Sequence, residues 1–238
     1  MDIFLSPSVI SNPIVLEEDE SHHVLKVMRA RAGDELLVTD GKGKLVKAKL
    51  VGESRKQCLL EPVEIVREEN ESRPAIHLAI SPTKNTDRFE WFLEKATEVG
   101  VTMITPVICQ RTARDKIKTE RAQKILSASM KQALRLWMPE LNPKISFQNF
   151  LESQKQNHDR KFIAHCQSQN LPSLQSLCKS GENVLIMVGP EGDFTQQEIQ
   201  MAVQNGFSEV TLGKNRLRTE TAGVIAVNTV QMMNEKTG

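Results

Sequence analysis

The sequence predicts an α/β protein in two parts: a small β-rich domain over residues 1–72 and a larger domain over 73–238 built on a parallel sheet. Three observations lead there. Up to about Arg73, apolar residues come in short runs separated by turn formers, the pattern of strands and hairpins. From Ala75 onward, strand-like apolar runs alternate with helical stretches, the pattern of β-α-β units. Between the two, Glu68 to Pro74 is charged, lacks large apolar residues and ends in proline, as a linker does.

In the first part the runs are Leu36-Leu37-Val38, Leu45-Val46 and Cys58-Leu59-Leu60, divided by Asp40-Gly41 and Val51-Gly52. Asp40-Gly41-Lys42-Gly43 has the composition of a hairpin turn; it lacks the Gly-Lys-Ser/Thr ending and following helix of a phosphate loop.

The second part opens with a buried strand at Ile76 to Ile80. Asn85 or Thr86 then caps a helix with Phe89, Phe92, Leu93 and Ala96 on one face. Gly100 stands where a C-terminal cap belongs, before the strand-like Val101 to Val107. A basic stretch from Arg111 leads into a helix with Ala122, Ile125, Leu126, Ala133 and Leu134 inward, ended by Pro139. After a polar stretch from Gln154 to Arg160, Phe162-Ile163-Ala164 predicts a strand ending at His165-Cys166.

Five consecutive apolar residues, Val184 to Val188, suit a strand buried on both faces, and the run stops at Gly189-Pro190-Glu191-Gly192. Thr195-x-x-Glu198 has capping-box spacing for the next helix, which Gly206 can end. Val210 to Leu212 resumes as a strand and stops at Gly213. A last helix follows, with Ala222, Ile225, Ala226, Thr229 and Val230 spaced for packing. Two successive strands thus end in glycine loops at one sheet edge, where open α/β sheets bind ligands. Glycine lets backbone groups approach a ligand or adopt positive φ, although ordinary turns use it too. No G-x-G-x-x-G or Walker pattern names the ligand.

Composition narrows the class. Charged residues make up 26% and hydrophobic ones 39%, with no run long enough to cross a bilayer and no leader-like start, so a soluble cytoplasmic protein without a membrane partner is expected. The four cysteines form no C-x-x-C pair, which suggests neither a metal site nor a disulfide framework. Net charge is only +1, yet residues 26–56 hold nine Lys/Arg against four Asp/Glu, and 111–135 hold eight against two. These stretches are either basic surfaces for nucleic acid or solvated faces of ordinary elements.

Val188-Gly189-Pro190-Glu191-Gly192, Leu212-Gly213 and Leu217-Arg218-Thr219-Glu220-Thr221-Ala222 together resemble the RsmE family of small-subunit ribosomal RNA uridine-N3 methyltransferases, which belong to the knotted SPOUT class. Further matches are His23-x-x-Lys26-Val27-x-Arg29, Gly33-Asp34, Glu94 to Val101, Pro106, Arg111 and Gln132-x-x-Arg135, so the resemblance spans most of the chain. It implies a PUA-like β-barrel N-terminal domain that binds RNA, an α/β SPOUT domain with a deep trefoil knot, and a homodimer. Three places depart from the family pattern: Met1-Asp2-Ile3-Phe4 lacks the arginine common near the family's start, where an RNA contact is usual, and two more lie near the glycine loops. Gly192-Asp193-Phe194 stands where Gly-Gly-Phe is usual, and Asn215-Arg216 where Arg-Ile is usual. Asp193 either adds a carboxylate near the site or enriches a helix start with negative charge.

By resemblance, the cofactor is S-adenosylmethionine, and His165, Gly189, Glu191, Gly192, Leu212, Gly213, Leu217, Thr219, Thr221 and Ala222 hold it. Uracil N3 must lose a proton before it attacks a sulfonium methyl, and the charge that develops spreads onto the flanking carbonyls. Arg218 is the first candidate to stabilise that charge. Glu191 and Glu220 can accept the proton, orient Arg218, or serve as caps or ion-pair members. Lys26, Arg29, Arg31, Arg111 and Arg114 are expected to hold phosphates of 16S rRNA in the small ribosomal subunit. With aromatics at 4% and no tyrosine, extensive base stacking is not expected. Two other readings fit parts of the chain: a maturation factor that has lost catalysis, and a nucleotide-dependent metabolic enzyme on a similar sheet.

Overall fold

A computed structural model describes residues 2–70, 74–154 and 158–235. Parts of the expected linker (71–73) and of the polar stretch before Phe162 (155–157) lie outside the described residues. The chain forms two compact units, Met1–Ser72 with Ser127–Met138, and Arg73–Leu126 with Pro139–Gly238.

The first unit contains β1 (Ile3–Leu5), β2 (Ile14–Val15), a short helix α1 (Glu18–His22) running into a π-helical turn (His23–Val27), β3 (Glu35–Thr39), β4 (Lys44–Ser54) and β5 (Gln57–Glu68). Its sheet has the order β1-β3-β4-β5-β2, with β1 parallel to β3 and the other pairs antiparallel. In place of the expected closed barrel there is an open sheet: β1 and β2 are its edges, and no ladder among the described residues joins them. Leu36 and Val38 face a core with Phe4, Val46, Leu50 and Leu60, whereas Leu37 faces the opposite cluster of Ile3, Leu45 and Leu136. Burial on both faces explains why Leu36-Leu37-Val38 is an unbroken apolar run instead of alternating. Leu136 also explains why Ser127–Met138 groups with this unit.

The Asp40–Gly43 hairpin forms as expected, with Asp40 Oδ1 accepting from the N–H of Lys42 (2.7 Å) and Lys44 (3.0 Å). Val51-Gly52, expected as a turn, lies inside β4 at a register shift, and the chain reverses at Arg55-Lys56 (φ +50° and +67°). A bulge absorbs the glycine there without ending the strand.

The second unit holds β6 (Ile76–Ile80), α2 (Thr86–Val99), β7 (Met103–Ile108), the start of α3 (Thr119–Gln132), β8 (Glu140–Leu141), β9 (Ile145–Ser146), α4 (Phe147–Ser153), β10 (Arg160–Ala164), α5 (Leu174–Leu177), β11 (Val184–Val188), α6 (Gln196–Gln204), β12 (Ser208–Val210) and α7 (Thr219–Glu235). The sheet runs β12-β10-β11-β6-β7-β8, with β9 also on β7, and every pairing is parallel. All five residues of β6 and of β11 are buried, because helices cover both faces. On one face Met187, Leu185 and Ile163 pack with Phe147, Phe150, Phe194 and Ile199. The other face takes α2 and α7.

Local signals explain most boundaries. Asn85 caps α2 by accepting from Asp87 N–H (2.8 Å), and Gly100 at φ +122° ends it. Thr195 and Glu198 complete the capping box of α6. Three expectations shift. β12 stops at Val210, two residues before Leu212. α3 ends at Gln132, well before Pro139: the N–H of Arg135 reaches back to Met130 O (3.0 Å), Leu134 turns left-handed (φ +54°) and is 53% exposed, and Leu136 takes the inward place instead. In α7 the buried stripe is Gly223, Ala226, Val227 and Val230, with Ile225 36% exposed. Gly223 sets this rotation, since a Cβ there would lie 2.7 Å from the Phe92 ring and 2.8 Å from Ile80 Cδ1.

Candidate functional site

Strands β12, β10 and β11 are neighbours, and their carboxyl ends open into a cleft of about 310 Å³, a size suited to a small organic ligand. Its wall comes from Ala164, His165 and Cys166 after β10, from Val188 to Glu191 and Asp193 after β11, and from Thr211 to Gly213 after β12. Residues 215–219 and Ala222, leading into α7, close it.

Bonds between these loops fix their shape. Pro190 O accepts from Asp193 N–H (2.9 Å), closing a tight turn. Thr219 Oγ1 donates to Gly189 O (3.0 Å), fastening that turn to the start of α7. A side chain at position 189 would collide with Phe194, 3.0 Å from where its Cβ would stand. Gly213 has φ +134°, and a Cβ there would meet no atom within 4 Å. Thr211 Oγ1 holds this second glycine loop, donating to Gly213 O (2.8 Å) and accepting from Gly213 N–H (3.3 Å).

Asp193 occupies the left-handed region (φ +60°), which short polar residues tolerate better than others. Its carboxylate accepts from Cys166 N–H (3.0 Å) and from Phe194 N–H (2.8 Å), joining the loop after β11 to the one after β10. Burial, and after it the nearby Asp193 charge, pushes the Cys166 thiol above its ordinary pKa. The His165 ring is tied at both nitrogens, Nε2 to Glu209 Oε1 (3.0 Å) and Nδ1 accepting from Gln167 N–H (3.3 Å), so it is a fixed wall of the cleft.

Among the residues expected from sequence, His165, Gly189, Glu191, Leu212, Gly213, Leu217, Arg218, Thr219 and Ala222 come together around the cleft. Gly192, Glu220 and Thr221 do not line it. Gly192 lies beneath Arg111, whose Nη1 donates to Gly192 O (2.8 Å). Glu220 is buried at the first turn of α7, with Oε1 3.7 Å from Arg88 Nε and Oε2 without a partner among the described residues. Arg114 is exposed in the same unit, and Lys26, Arg29 and Arg31 lie at the surface of the first.

Sequence reasoning missed Pro190, Cys166 and Thr211, each next to a residue it named. It also missed Lys84, whose N–H donates to Glu191 Oε1 (2.8 Å) across 107 residues and which no local pattern could have signalled. Among the described residues no group of three His, Cys, Asp or Glu could hold a metal ion, and no helix is long and apolar enough to cross a membrane.

Comparison with known proteins gives consistent matches. A family model described as an RNA methyltransferase domain covers residues 70–231, and one described as an RNA methyltransferase PUA domain covers 16–63. The ribosomal RNA small subunit methyltransferase E of Synechocystis sp. is 30% identical over 95% of this chain and 75% of its own, and that of Bacillus subtilis 28% identical over 91% and 89%. The crystal structure of a probable rRNA-methyltransferase from Porphyromonas gingivalis superposes with a TM-score of 0.91, at 33% identity over the whole of both chains. That of a ribosomal RNA small subunit methyltransferase E from Neisseria gonorrhoeae, bound to S-adenosyl methionine, has a TM-score of 0.85 at 32% identity over 98% of this chain and 97% of that one.

Proposed function

Since the chain belongs to the ribosomal RNA small subunit methyltransferase E family, with an RNA methyltransferase domain over residues 70–231, we propose that it transfers a methyl group from S-adenosylmethionine to N3 of one uridine in 16S rRNA during maturation of the small ribosomal subunit. The cleft built from the Gly189 and Gly213 loops carries this reading. Its chemistry fits the cofactor. Backbone groups at the glycines can read an adenine edge, and Val188, Leu217 and Ala222 offer an apolar wall. Glu191 and Asp193 place carboxylates near a ligand that bears sulfonium and ammonium groups. When bound, the cofactor supplies an electrophilic methyl group.

The chain's own residues do the rest. Arg218 stabilises the negative charge that spreads over the uracil carbonyls as N3 loses its proton, an effect strengthened where water is excluded. Glu191, in the cleft wall, accepts that proton. Glu220, behind the wall, positions the first turn of α7 beside Arg88. Lys26, Arg29, Arg31 and Arg114 hold phosphates, which position RNA without reading its sequence. Arg111 shapes the site through Gly192.

The same reading assigns RNA binding to a PUA-like domain at 1–72 and catalysis to 73–238, in a cytoplasmic homodimer with a knotted chain end. Support for the knot comes from the connection between β10 and β11. Its Pro172 O accepts from Thr211 N–H (2.9 Å), its Leu174 N–H donates to Thr211 O (3.0 Å), and its Gly181 N–H donates to Asn234 Oδ1 (3.0 Å), so it brackets the chain on both sides of α7's start.

Labelled S-adenosylmethionine incubated with the protein and small subunits lacking the modification tests the reading, with the product mapped by mass spectrometry. Label on the base of one uridine is expected; label on cytidine, on ribose or nowhere overturns it. A short naked oligonucleotide should react far more slowly than the subunit, because recognition rests on folded RNA shape.

A further inference from the structure

A second cleft, of about 530 Å³, opens at the same edge of the second unit's sheet, where β7 and β8 end. Arg114, Lys116, Lys118 and Lys144 line it, and no carboxylate does. Lys144 is paired with Asp115 (2.6 Å), whereas Arg114, Lys116 and Lys118 make no side-chain hydrogen bond or ion pair with a described residue. Glu90, whose carboxylate feels Lys118, is already bonded twice by Arg121 (2.5 and 2.7 Å). In a chain whose net charge is only +1, three unpaired cations on one concave surface, beside the Lys144–Asp115 pair, are a local concentration that favours an anion. Several cations spread along a groove suit a strand of phosphates better than a single small anion.

The sheet order relates this groove to the cofactor cleft. The cleft lies over β10 and β11, the groove over β7 and β8, about three strand spacings away or about 14 Å. Arg111, bonded to Gly192 O, comes from the segment that joins β7 to the groove's basic residues. We propose that the groove is a second RNA site, in which Lys116 and Lys118 join Arg114 in holding the substrate backbone a few nucleotides from the target base. This rests on the methyltransferase reading and names a path for its RNA.

The test uses the full chain carrying Lys116→Gln and Lys118→Gln, compared with wild type and with Lys116→Arg/Lys118→Arg. Three quantities are read: KM for unmodified small subunits, the slope of log affinity against log salt on a 16S rRNA fragment, and S-adenosylmethionine affinity. The Gln pair should raise KM by about tenfold and flatten the slope by about 1.4, at about 0.7 for each single-strand phosphate left without its cation. Turnover at saturating subunits and cofactor affinity should stay within about twofold, and the Arg pair should restore the slope. Wild-type KM and slope in the Gln pair, with an active wild type, overturn the groove. An inactive wild type whose slope still flattens in the Gln pair overturns the functional reading and keeps the groove. If the pair also loses cofactor affinity through misfolding, Arg114→Gln replaces it and should flatten the slope by about 0.7; no change then overturns the groove.

Discussion

Asp193 stands where the family pattern has glycine, and its surroundings predict what restoring the glycine would do. Removing the carboxylate loses two accepted hydrogen bonds, from Cys166 N–H (3.0 Å) and Phe194 N–H (2.8 Å). At a half-buried site each contributes about 1 kcal/mol. Glycine relieves the left-handed backbone at φ +60°, recovering about 1 kcal/mol, but it frees the unfolded chain and returns about 0.7 kcal/mol of that. Asp193→Gly should therefore destabilise by about 1.7 kcal/mol, and Asp193→Ala, which loses both bonds and fits the left-handed backbone less well than Asp, by about 2.5 kcal/mol. Asp193→Asn keeps one acceptor and tolerates the conformation, so about 1 kcal/mol is expected. Because the Cys166 bond joins the loops after β10 and β11, S-adenosylmethionine affinity should fall in the same order. Urea denaturation and calorimetric titration measure the two quantities. A glycine variant as stable as wild type, or an alanine variant equal to glycine, would refute the idea that the carboxylate compensates for its own strained backbone.

Further outcomes follow from neighbouring geometry. Arg218→Ala should lower turnover by at least about a hundredfold while changing cofactor affinity little; equal losses in kinetics and titration would mean that it only binds. Gly223→Ala places a methyl 2.7 Å from Phe92 and 2.8 Å from Ile80, so overpacking outweighs the better helix propensity and a loss of about 1 to 2 kcal/mol should appear in thermal melts. Cys166 is the exposed cysteine, the other three being buried, and it lines the cleft. S-adenosylmethionine should protect it from alkylation, and its raised pKa should keep the labelling rate climbing at a pH where a free thiol has levelled off. His77, buried among Thr105, Phe150 and His158, has its pKa pushed down to about 3, first by burial and then by His158. The unfolded chain takes up this proton near pH 6.5 while the folded one does not, so the contribution is full above that pH and is lost as pH falls towards 3. Denaturation midpoints of His77→Gln should fall less steeply than those of wild type over that window.

The elements most legible in the sequence are those whose burial is extreme. Val184 to Val188 and Ile76 to Ile80 read as strands because both faces are covered, and Thr195 with Glu198 marked a helix start because two orphan N–H groups need partners there. The glycine loops were visible for a similar reason: an abrupt stop after a buried strand leaves few places for the chain to go. What stayed hidden depends on distant neighbours. The inward stripe of α7 is rotated by the contact of Gly223 with Phe92, and α3 ends early because Leu136 is buried against Ile3, Leu37 and Leu45 of the first unit's sheet. Lys84 and Arg111 reach the site from 107 and 81 residues away, through a backbone N–H and a guanidinium whose targets are carbonyl or carboxylate oxygens of loops. No periodicity encodes such a partner. The open edge of the first sheet was hidden for the same reason, since closure depends on how β1 meets β2.

The order of the chain decides how the site is assembled. Every strand of the parallel sheet precedes residue 211, yet a large share of the cleft wall, Thr211 to Gly213, Asn215 to Thr219 and Ala222, comes after it. The sheet can therefore be complete while the cleft is not. What completes it is the docking of α7, through Thr219 Oγ1 on Gly189 O at its start and through Gly223 against Phe92 and Ile80 one turn later. Both contacts require small groups: a hydroxyl that reaches a carbonyl, and a glycine that lets two helices approach. Loosening α7 should consequently weaken cofactor binding before it disturbs the strands, and a bound cofactor, by bridging the Gly189 loop to the residues ahead of α7, should stabilise the helix in turn. Fold and site are linked here through the last helix, which is why the residues that matter most for the cleft include ones that never touch the ligand.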